Sequence, residues 1–577
     1  MARKPEIILG LNHGGHDTSA ALMIDGELIA ACEEERFSLE KHSTQFPNLA
    51  IQACLRRAGI KIEEVSRIAY GFDSTHFIRE VYLRKAMEDA ERIGFLINDI
   101  DYIKYHYNIV DTILKETHFQ GEIKQFRHHL CHLASAYYPS GFADALLVSY
   151  DGIGEIETGM LAKGIGGNIE VVHDLTRYPE SLGLLYSALT FYLGWRHHCD
   201  EGIIMGLAPY GDASIEIPGS DKTYAEIFKD VIIETGDFDY RINQDWIAYY
   251  EKRDTWVSPR FYDTFGPKRA YEDPVTQHHK NIAAALQDRL EEVVLKQLTW
   301  ARKEFGLSRL CLAGGVALNC SMNGSIEASG IFDEIFVQPA SADQGVAVGA
   351  CYLAHKESNP KLTPTKNHDF YKGSRYSREE ILQALNKKGL PFEEPVDIYQ
   401  ETAKQLAAGR IVGWHQGGAE FGPRALGNRS ILCKPYPAEM KDHLNEQVKF
   451  RESFRPFAPS VLAEKCSEYF LIKQESPHML MACQVHPDKR DKIPAVVHVD
   501  GSCRVQTVKT GNNVRFRKLL EAFYSATDCP VLLNTSFNVK GQPIVNTPEQ
   551  AIDCFLNTKI DFLVVGDFTI KKENVKK

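Results

Sequence analysis

His128 and His132 stand four residues apart in the segment RHHLCHLASAYYPS. On a helix this spacing puts both imidazoles on one face, and Pro139 is expected to end that helix. Two imidazoles do not complete a metal site. The expected partners are carboxylates: Asp151 ends the strand-like ALLVSYDG, and Asp343 lies in PASADQGVAVGA just before a helical run, both at element ends where sites form. Such a set suits a borderline divalent ion with open positions, iron(II) or zinc, better than magnesium or calcium. The spacing alone is a weak signal, because a chain with 21 histidines produces HxxxH by chance, and most such pairs are surface or satisfied core residues.

Three further constellations could do chemistry. The turn HGGHDTSAA holds His16, whose ordinary pKa near neutrality suits a general base, beside glycines that let backbone N–H groups approach an anion. A hairpin turn that merely needs glycine reads equally well. CLAGGVALNCSMNG offers Gly314, Gly315 and Asn319 where a strand passes into a helix, a place for a nucleotide, or simply for tight strand-helix packing. The fourth is cationic: between Arg410 and Pro456 eight basic residues face five acidic ones, in a chain whose totals are 66 basic and 77 acidic. Arg424, Lys449 and Arg455 lie in this stretch, with Arg504 in DGSCRVQTV and Ser536 in LLNTSFN downstream. Arginines among Gly, Pro and Phe suit a phosphate clamp; the bland alternative is a set of surface ion pairs.

The elements that must position these residues follow from the pattern. IILGLN, a Gly-rich turn, AALMID and ELIAACEEE read as a strand and hairpin, and the same plan recurs from Asp144 as ALLVSYDG, GMLAKG and IEVVHDL. Two such halves imply internal duplication and a pair of mixed sheets flanked by helices, with a cleft between the halves. Residues 212–277, rich in Tyr, Asp and Pro, read as an irregular insertion, and from Asn281 apolar residues recur at helical spacing. Residues 356–375 read as a polar linker, which gives a first domain over 1–355 and a second over 376–577.

Composition narrows the function classes. At 577 residues and 44% apolar content the chain is globular, with a length prior of roughly two to four domains. A net charge of −11 disfavours a nucleic-acid partner. No run approaches the roughly 18 apolar residues of a membrane helix, and Ile7 to Leu11 is too short for a signal's core, so a cytoplasmic protein with no membrane partner is expected. Thirteen cysteines without a CxxC, mostly in apolar runs, read as reduced core thiols.

Together, GLNxxxHD, EEERFS with Lys41 and His42, HHxxH, YDGxGE, EGxxMGLAPYG, AGGVALN, EFGPRALGNRSIL, KxRExFRPFAPS, DGSxRVQTV and LNTSFN resemble, in this order and over nearly the whole chain, the NodU/CmcH family of O-carbamoyltransferases. The resemblance implies an α/β protein: a duplicated ribonuclease H-like N-terminal domain of the actin, hexokinase and heat-shock-chaperone type, then a YrdC-like C-terminal domain. It further implies that carbamoyl phosphate and ATP are substrates, giving carbamoyl adenylate and pyrophosphate, and that the carbamoyl group passes to a hydroxyl of a small natural product. By motif match Arg424, Lys449, Arg455, Arg504 and Ser536 would hold carbamoyl phosphate and the ATP phosphates. Gly314, Gly315 and Asn319 would hold adenosine, His128, His132, Asp151 and Asp343 a divalent metal, iron(II), and His16 would deprotonate the acceptor.

Ile203 stands where the family commonly has lysine, and Gly418 lies where arginine is common, so acceptor choice transfers less well than the reaction. Competing readings are a metal-dependent hydrolase or peptidase built on HxxxH, which lacks the glutamate of HExxH, and a nucleotide-gated, non-enzymatic binding protein of the same superfamily. The oligomeric state stays open, a homodimer included.

Overall fold

The computed structural model describes residues 4–250, 252, 255–367 and 369–575. The chain forms two compact units. The first is built from residues up to 28, 44–48 and 60–366, and the second from 29–43, 49–59 and 367 onward.

In the first unit β1 (Ile7–Asn12), buried along its length, pairs antiparallel with β2 (Ser19–Ile24) and parallel with β3 (Arg67–Tyr70), which pairs parallel with β4 (Glu122–Gln125). The plan recurs: β5 (Asp144–Tyr150) pairs antiparallel with β6 (Glu157–Ile165) and parallel with β7 (Arg309–Ala313), which pairs parallel with β8 (Glu334–Val337). Central strands covered on both faces read as continuous apolar runs, as IILGL and LLVSY do. This repeated plan makes the unit a duplicated ribonuclease H-like fold.

Five helices matter for the site: α1 (His128–Ser140), α2 (Leu182–Tyr192), α3 (Gln277–Phe305), α4 (Cys320–Ser329) and α5 (Val346–Ser358). Contrary to expectation, α1 runs through Pro139. Pro139 forgoes its own i→i−4 hydrogen bond one residue before the helix ends, and the stop is Gly141 at φ 77°. Helix α5 packs backbone to backbone on α1, since a Cβ on Gly349 would lie 1.8 Å from the Cys131 carbonyl oxygen.

Residues 212–277 are more ordered than their composition suggests. They carry a helix at Tyr224–Val231, a short hairpin of Ile232–Glu234 with Tyr240–Ile242, and a helix at Pro259–Phe265, with Phe228 and Val231 fully buried. The stretch read as a linker also differs: α5 extends to Ser358, and Phe370 is already in the second unit, its carbonyl accepting from the Phe421 N–H at 2.8 Å.

The second unit is a seven-stranded mixed sheet in the order β12-β11-β13-β10-β9-β14-β15. Here β9 is Val412–His415, β10 Arg429–Cys433, β11 Ala458–Leu462, β12 Gln506–Val508, β13 Val531–Ser536, β14 Phe562–Val565 and β15 Phe568–Lys571. Its core includes Trp414, Ile431, Val461, Leu532 and Val564, all excluded from solvent. All thirteen cysteines are free thiols, all but Cys199 buried. Among the described residues no helix is long and apolar enough to cross a membrane.

Candidate active site

His128 and His132 point their Nε2 atoms at each other from α1, 3.0 Å apart. Asp151, at the end of β5, places Oδ2 3.3 Å from His128 Nε2 and 3.0 Å from His132 Nε2. Asp343 brings Oδ1 to 3.4 and 3.8 Å of the same nitrogens. All four donor atoms lie within 4.8 Å of one another. Burial disfavours charge on His128, but Asp343 and Asp151 outweigh it and hold its pKa well above the ordinary value. Burial likewise opposes ionisation of Asp151, and hydrogen bonding to His128 and His132 outweighs it, keeping this carboxyl well below its usual range. Convergent nitrogen and carboxylate donors in a buried place fit a divalent cation. The Nδ1 atoms of both rings are buried without a hydrogen-bond partner among the described residues, so no second hydrogen bond orients the rings from behind.

Three neighbours hold this geometry. Gly315 N–H donates to Asp151 Oδ1 at 2.9 Å. Gly314, at φ 87°, lets the end of β7 reach β5, for a Cβ there would lie 2.1 Å from the Tyr150 carbonyl oxygen. Glu155, fully buried, accepts from the backbone N–H of His128 at 2.8 Å and of Asp73 at 2.7 Å, which pins the first turn of α1. Burial raises the Glu155 pKa. His129 is spent on structure, bonded to Ser149 Oγ and the Glu157 carbonyl at 2.8 Å each, and burial holds its pKa down to about 3.

The HGGHD turn approaches this cluster: a Cβ on Gly15 would lie 3.9 Å from Asp343 Oδ2. His16 is 41% exposed, with Nδ1 3.0 Å from Asp17 Oδ2. Asp17 adopts φ 56°, and Asn12 Nδ2 donates to its carbonyl at 3.1 Å. Asn319 caps α4 through Met322 N–H at 3.0 Å and exchanges hydrogen bonds with Gln287 at 3.0 and 2.9 Å. Its side chain is thus engaged inside the fold, Gly314 is buried as well, and Gly315 alone of that trio is partly exposed.

In the second unit, Lys449 is buried and its Nζ donates to the Ser536 carbonyl (2.9 Å) and Oγ (3.2 Å) and to the Asn538 carbonyl (2.9 Å) and Oδ1 (2.6 Å). Burial pushes its pKa well below the ordinary lysine value. Arg451 is held well below its usual range by burial and then by the positive charges of Arg455 and Arg504. Arg504 Nε is buried with no hydrogen-bond partner among the described residues, and the nearest Glu452 oxygen stands 3.8 Å from Arg455. Guanidinium groups gathered so that Arg455 and Arg504 bear on Arg451 have the charge that suits an anion.

Sequence reading missed the residues that shape this second site. Arg451 is one of the eight basic residues of the cationic stretch, with nothing in the sequence to single it out among them. Glu420 accepts from the N–H groups of Leu426, Asn428 and Arg429 at 2.7, 2.8 and 3.1 Å, folding the loop that carries Arg424. Glu33 accepts from Gly422 N–H at 3.0 Å and Arg36 donates to the Gly422 carbonyl at 2.8 Å, so both backbone polar groups of one residue are clamped. The only available signal was the acidic-basic run EEER. Arg429, fully buried, gives its guanidinium to backbone carbonyls, among them Asn546 and Ser374 at 3.1 Å each.

Family profiles described as Carbamoyltransferase N-terminus and Carbamoyltransferase C-terminus match residues 7–352 and 403–572. The chain belongs to the carbamoyltransferase family. The nodulation protein NolNO of Sinorhizobium fredii is 38% identical to it over 96% of this chain and 79% of its own length. The nodulation protein NolO of Bradyrhizobium diazoefficiens is 40% identical over 77% of this chain and 78% of its own. Nodulation protein U of Rhizobium tropici is 30% identical over 97% and 95%. This carbamoyltransferase is therefore an enzyme that moves a carbamoyl group.

Proposed function

We propose that the enzyme is an ATP-dependent O-carbamoyltransferase that works through carbamoyl adenylate. Carbamoyl phosphate would lose phosphate to water, and the carbamate oxygen would attack the α-phosphorus of ATP, releasing pyrophosphate. The acceptor oxygen would then attack the carbamoyl carbon, and AMP would leave. The observation that carries this reading is the crowding of Arg451, Arg455 and Arg504 beside buried Lys449. Two polyanions must be neutralised before one can attack the other, and preorganised cations do that without reorganising. Arg424, Lys449, Arg455, Arg504 and Ser536 are proposed to hold the phosphates, Gly314, Gly315 and Asn319 the adenosine.

His128, His132, Asp151 and Asp343 are proposed to hold a divalent ion: their donor set suits iron(II) or zinc, and iron(II) is the one the family resemblance implies. When bound, such an ion stabilises negative charge developing on an oxygen. His16, with Nδ1 against Asp17, would take the acceptor's proton at Nε2, because a neutral alcohol is a poor nucleophile near pH 7. The acceptor would be a small hydroxylated natural product.

The test is incubation of the full chain with carbamoyl phosphate, ATP and a panel of hydroxylated metabolites. Pyrophosphate release and a mass gain of one carbamoyl group on an acceptor are expected. Carbamoyl transfer without ATP consumption would rule out the adenylate route.

A further inference from the structure

A cavity of about 500 Å³ in the first unit is lined by Phe191 at the end of α2, Trp195, Arg196, His197, Lys268, Arg269 and Tyr271, with Gly194 and Ala270. Three lining residues are cations and none is a carboxylate, in a chain of net charge −11. Arg269 is 4% exposed; it lies over the Trp195 ring at 4.3 Å and donates to the carbonyls of Leu193 (2.6 Å) and Tyr271 (3.0 Å). Those carbonyls order the guanidinium without cancelling its charge. Lys268 Nζ stands 3.2 Å from the Phe191 ring centroid.

The cavity continues as an aromatic strip toward His16. Phe191 lies 5.7 Å from His197, His197 4.4 Å from Trp256, and Trp256 5.3 Å from His198. His198 in turn stacks on His16 at 5.7 Å with an interplanar angle of 27°. His198 is held at φ 56°, a left-handed conformation, with its N–H on Glu201 Oε1, which also accepts from Ser187 Oγ at 2.6 Å. A strained backbone so pinned marks a place that must be rigid. Aromatic rings bind the faces of sugars and other rings, and cations beside them select acidic groups.

We propose that this cavity is an acceptor subsite. The acceptor stacks along the Phe191–His197–Trp256–His198 strip and carries, besides the hydroxyl presented to His16, a carboxylate or phosphate held by Arg196, Lys268 and Arg269. The inference rests on the carbamoyl-transfer reading for the identity of the bound molecule as acceptor, and on the cavity alone for its charge.

The experiment compares cellobiose, cellobiouronate, cellobiose phosphate and the diamino counterpart, by calorimetric binding to the full chain at low and high salt and by carbamoyl transfer read in a mass spectrometer. An acidic member should bind at least roughly tenfold tighter than cellobiose, more so at low salt; which one does so distinguishes carboxylate from phosphate. Arg196→Glu with Lys268→Glu should abolish that preference, and Arg196→Lys with Lys268→Arg should keep it; both residues are exposed, so folding is not at stake. Equal or tighter binding of the neutral or diamino sugar, no binding by any, or an unchanged preference in the double glutamate variant would overturn the proposal. Pyrophosphate release from carbamoyl phosphate and ATP, measured without sugar, separately tests the adenylate reading. A silent result there with acidic preference intact sinks that reading and leaves the subsite standing.

Discussion

The Asp17 carboxylate lies 3.0 Å from His16 Nδ1, so the proton on that nitrogen has a fixed acceptor and Nε2 is left to take another. Replacing His16 by Asn is expected to slow carbamoyl transfer roughly 10²- to 10⁴-fold and to leave pyrophosphate release in place. Asp17→Asn can offer an amide N–H where the carboxylate stood, reversing the ring tautomer, and should fall in the same range. Equal loss of both half-reactions in His16→Asn would contradict the assignment.

Metal analysis of protein purified without chelator should find about one divalent ion per chain, lost in His132→Ala and Asp151→Ala. The imidazoles must be neutral to ligate, and Asp343 and Asp151 hold the His128 pKa well above its ordinary value, so protons already compete with the ion near neutral pH and occupancy should fall steadily as pH drops. Elemental analysis across a pH series checks this, and occupancy flat from neutral to acidic pH would exclude the histidine site.

Arg455→Ala and Arg504→Ala each remove one of the two guanidinium groups whose positive charge bears on Arg451. Both should cut pyrophosphate release by about 10²-fold or more, yet leave thermal stability of the ligand-free protein unchanged or slightly raised, because a like charge has gone. A melting curve beside the activity assay decides it; a lowered melting point with normal pyrophosphate release would show a merely structural role.

These sites were unequally legible in the amino-acid sequence. The duplication could be read because a strand, hairpin and glycine turn recur from Asp144, and hydrophobic period carries that information locally. His128 and His132 share a face by helix geometry, and Asp151 and Asp343 fall at a strand end and a helix start. Pro139 misled because what stops α1 is the left-handed Gly141. Glu420, Glu33 and Arg36 could not be read at all. Their role is to accept or donate to backbone groups of a loop, and for Glu33 and Gly422 the partners stand 389 residues apart. Residues 212–277 looked irregular because their apolar residues, such as Phe228, are interleaved with Tyr, Asp and Pro, and their burial depends on tertiary contact.

His13 and His106 form a second titrating pair. Burial lowers both from 6.5 to about 4. The folded pKa is the depressed one, so the unfolded chain binds more protons between about pH 6.5 and 4. Their contribution is whole above that window and is lost as pH falls through it, by at most about 3 kcal/mol each. His106→Phe, among the rings of Phe72, Phe77 and Tyr102, should flatten the acid limb of the stability curve. Denaturant melts at neutral and mildly acidic pH measure it; an unchanged limb would assign the acid sensitivity elsewhere.

Gly349→Ala would force α1 and α5 apart where the Cys131 carbonyl oxygen now sits 1.8 Å from the added carbon. A destabilisation of roughly 1–3 kcal/mol or more is expected, with weaker metal retention, since α1 bears His128 and His132 and Asp343 lies just before α5. Full stability with normal metal content would mean that the two helices accommodate a methyl group.

Residues 29–43 and 49–59 belong to the unit that the chain otherwise completes only from residue 367 on. During translation these segments leave the ribosome on the order of tens of seconds before the partners they await. Glu33 and Arg36 therefore wait, already synthesised, for Gly422 to appear. The second unit is finished by residues made long before the rest of it, and a gene fragment beginning at residue 376 would encode a body missing its own clasp.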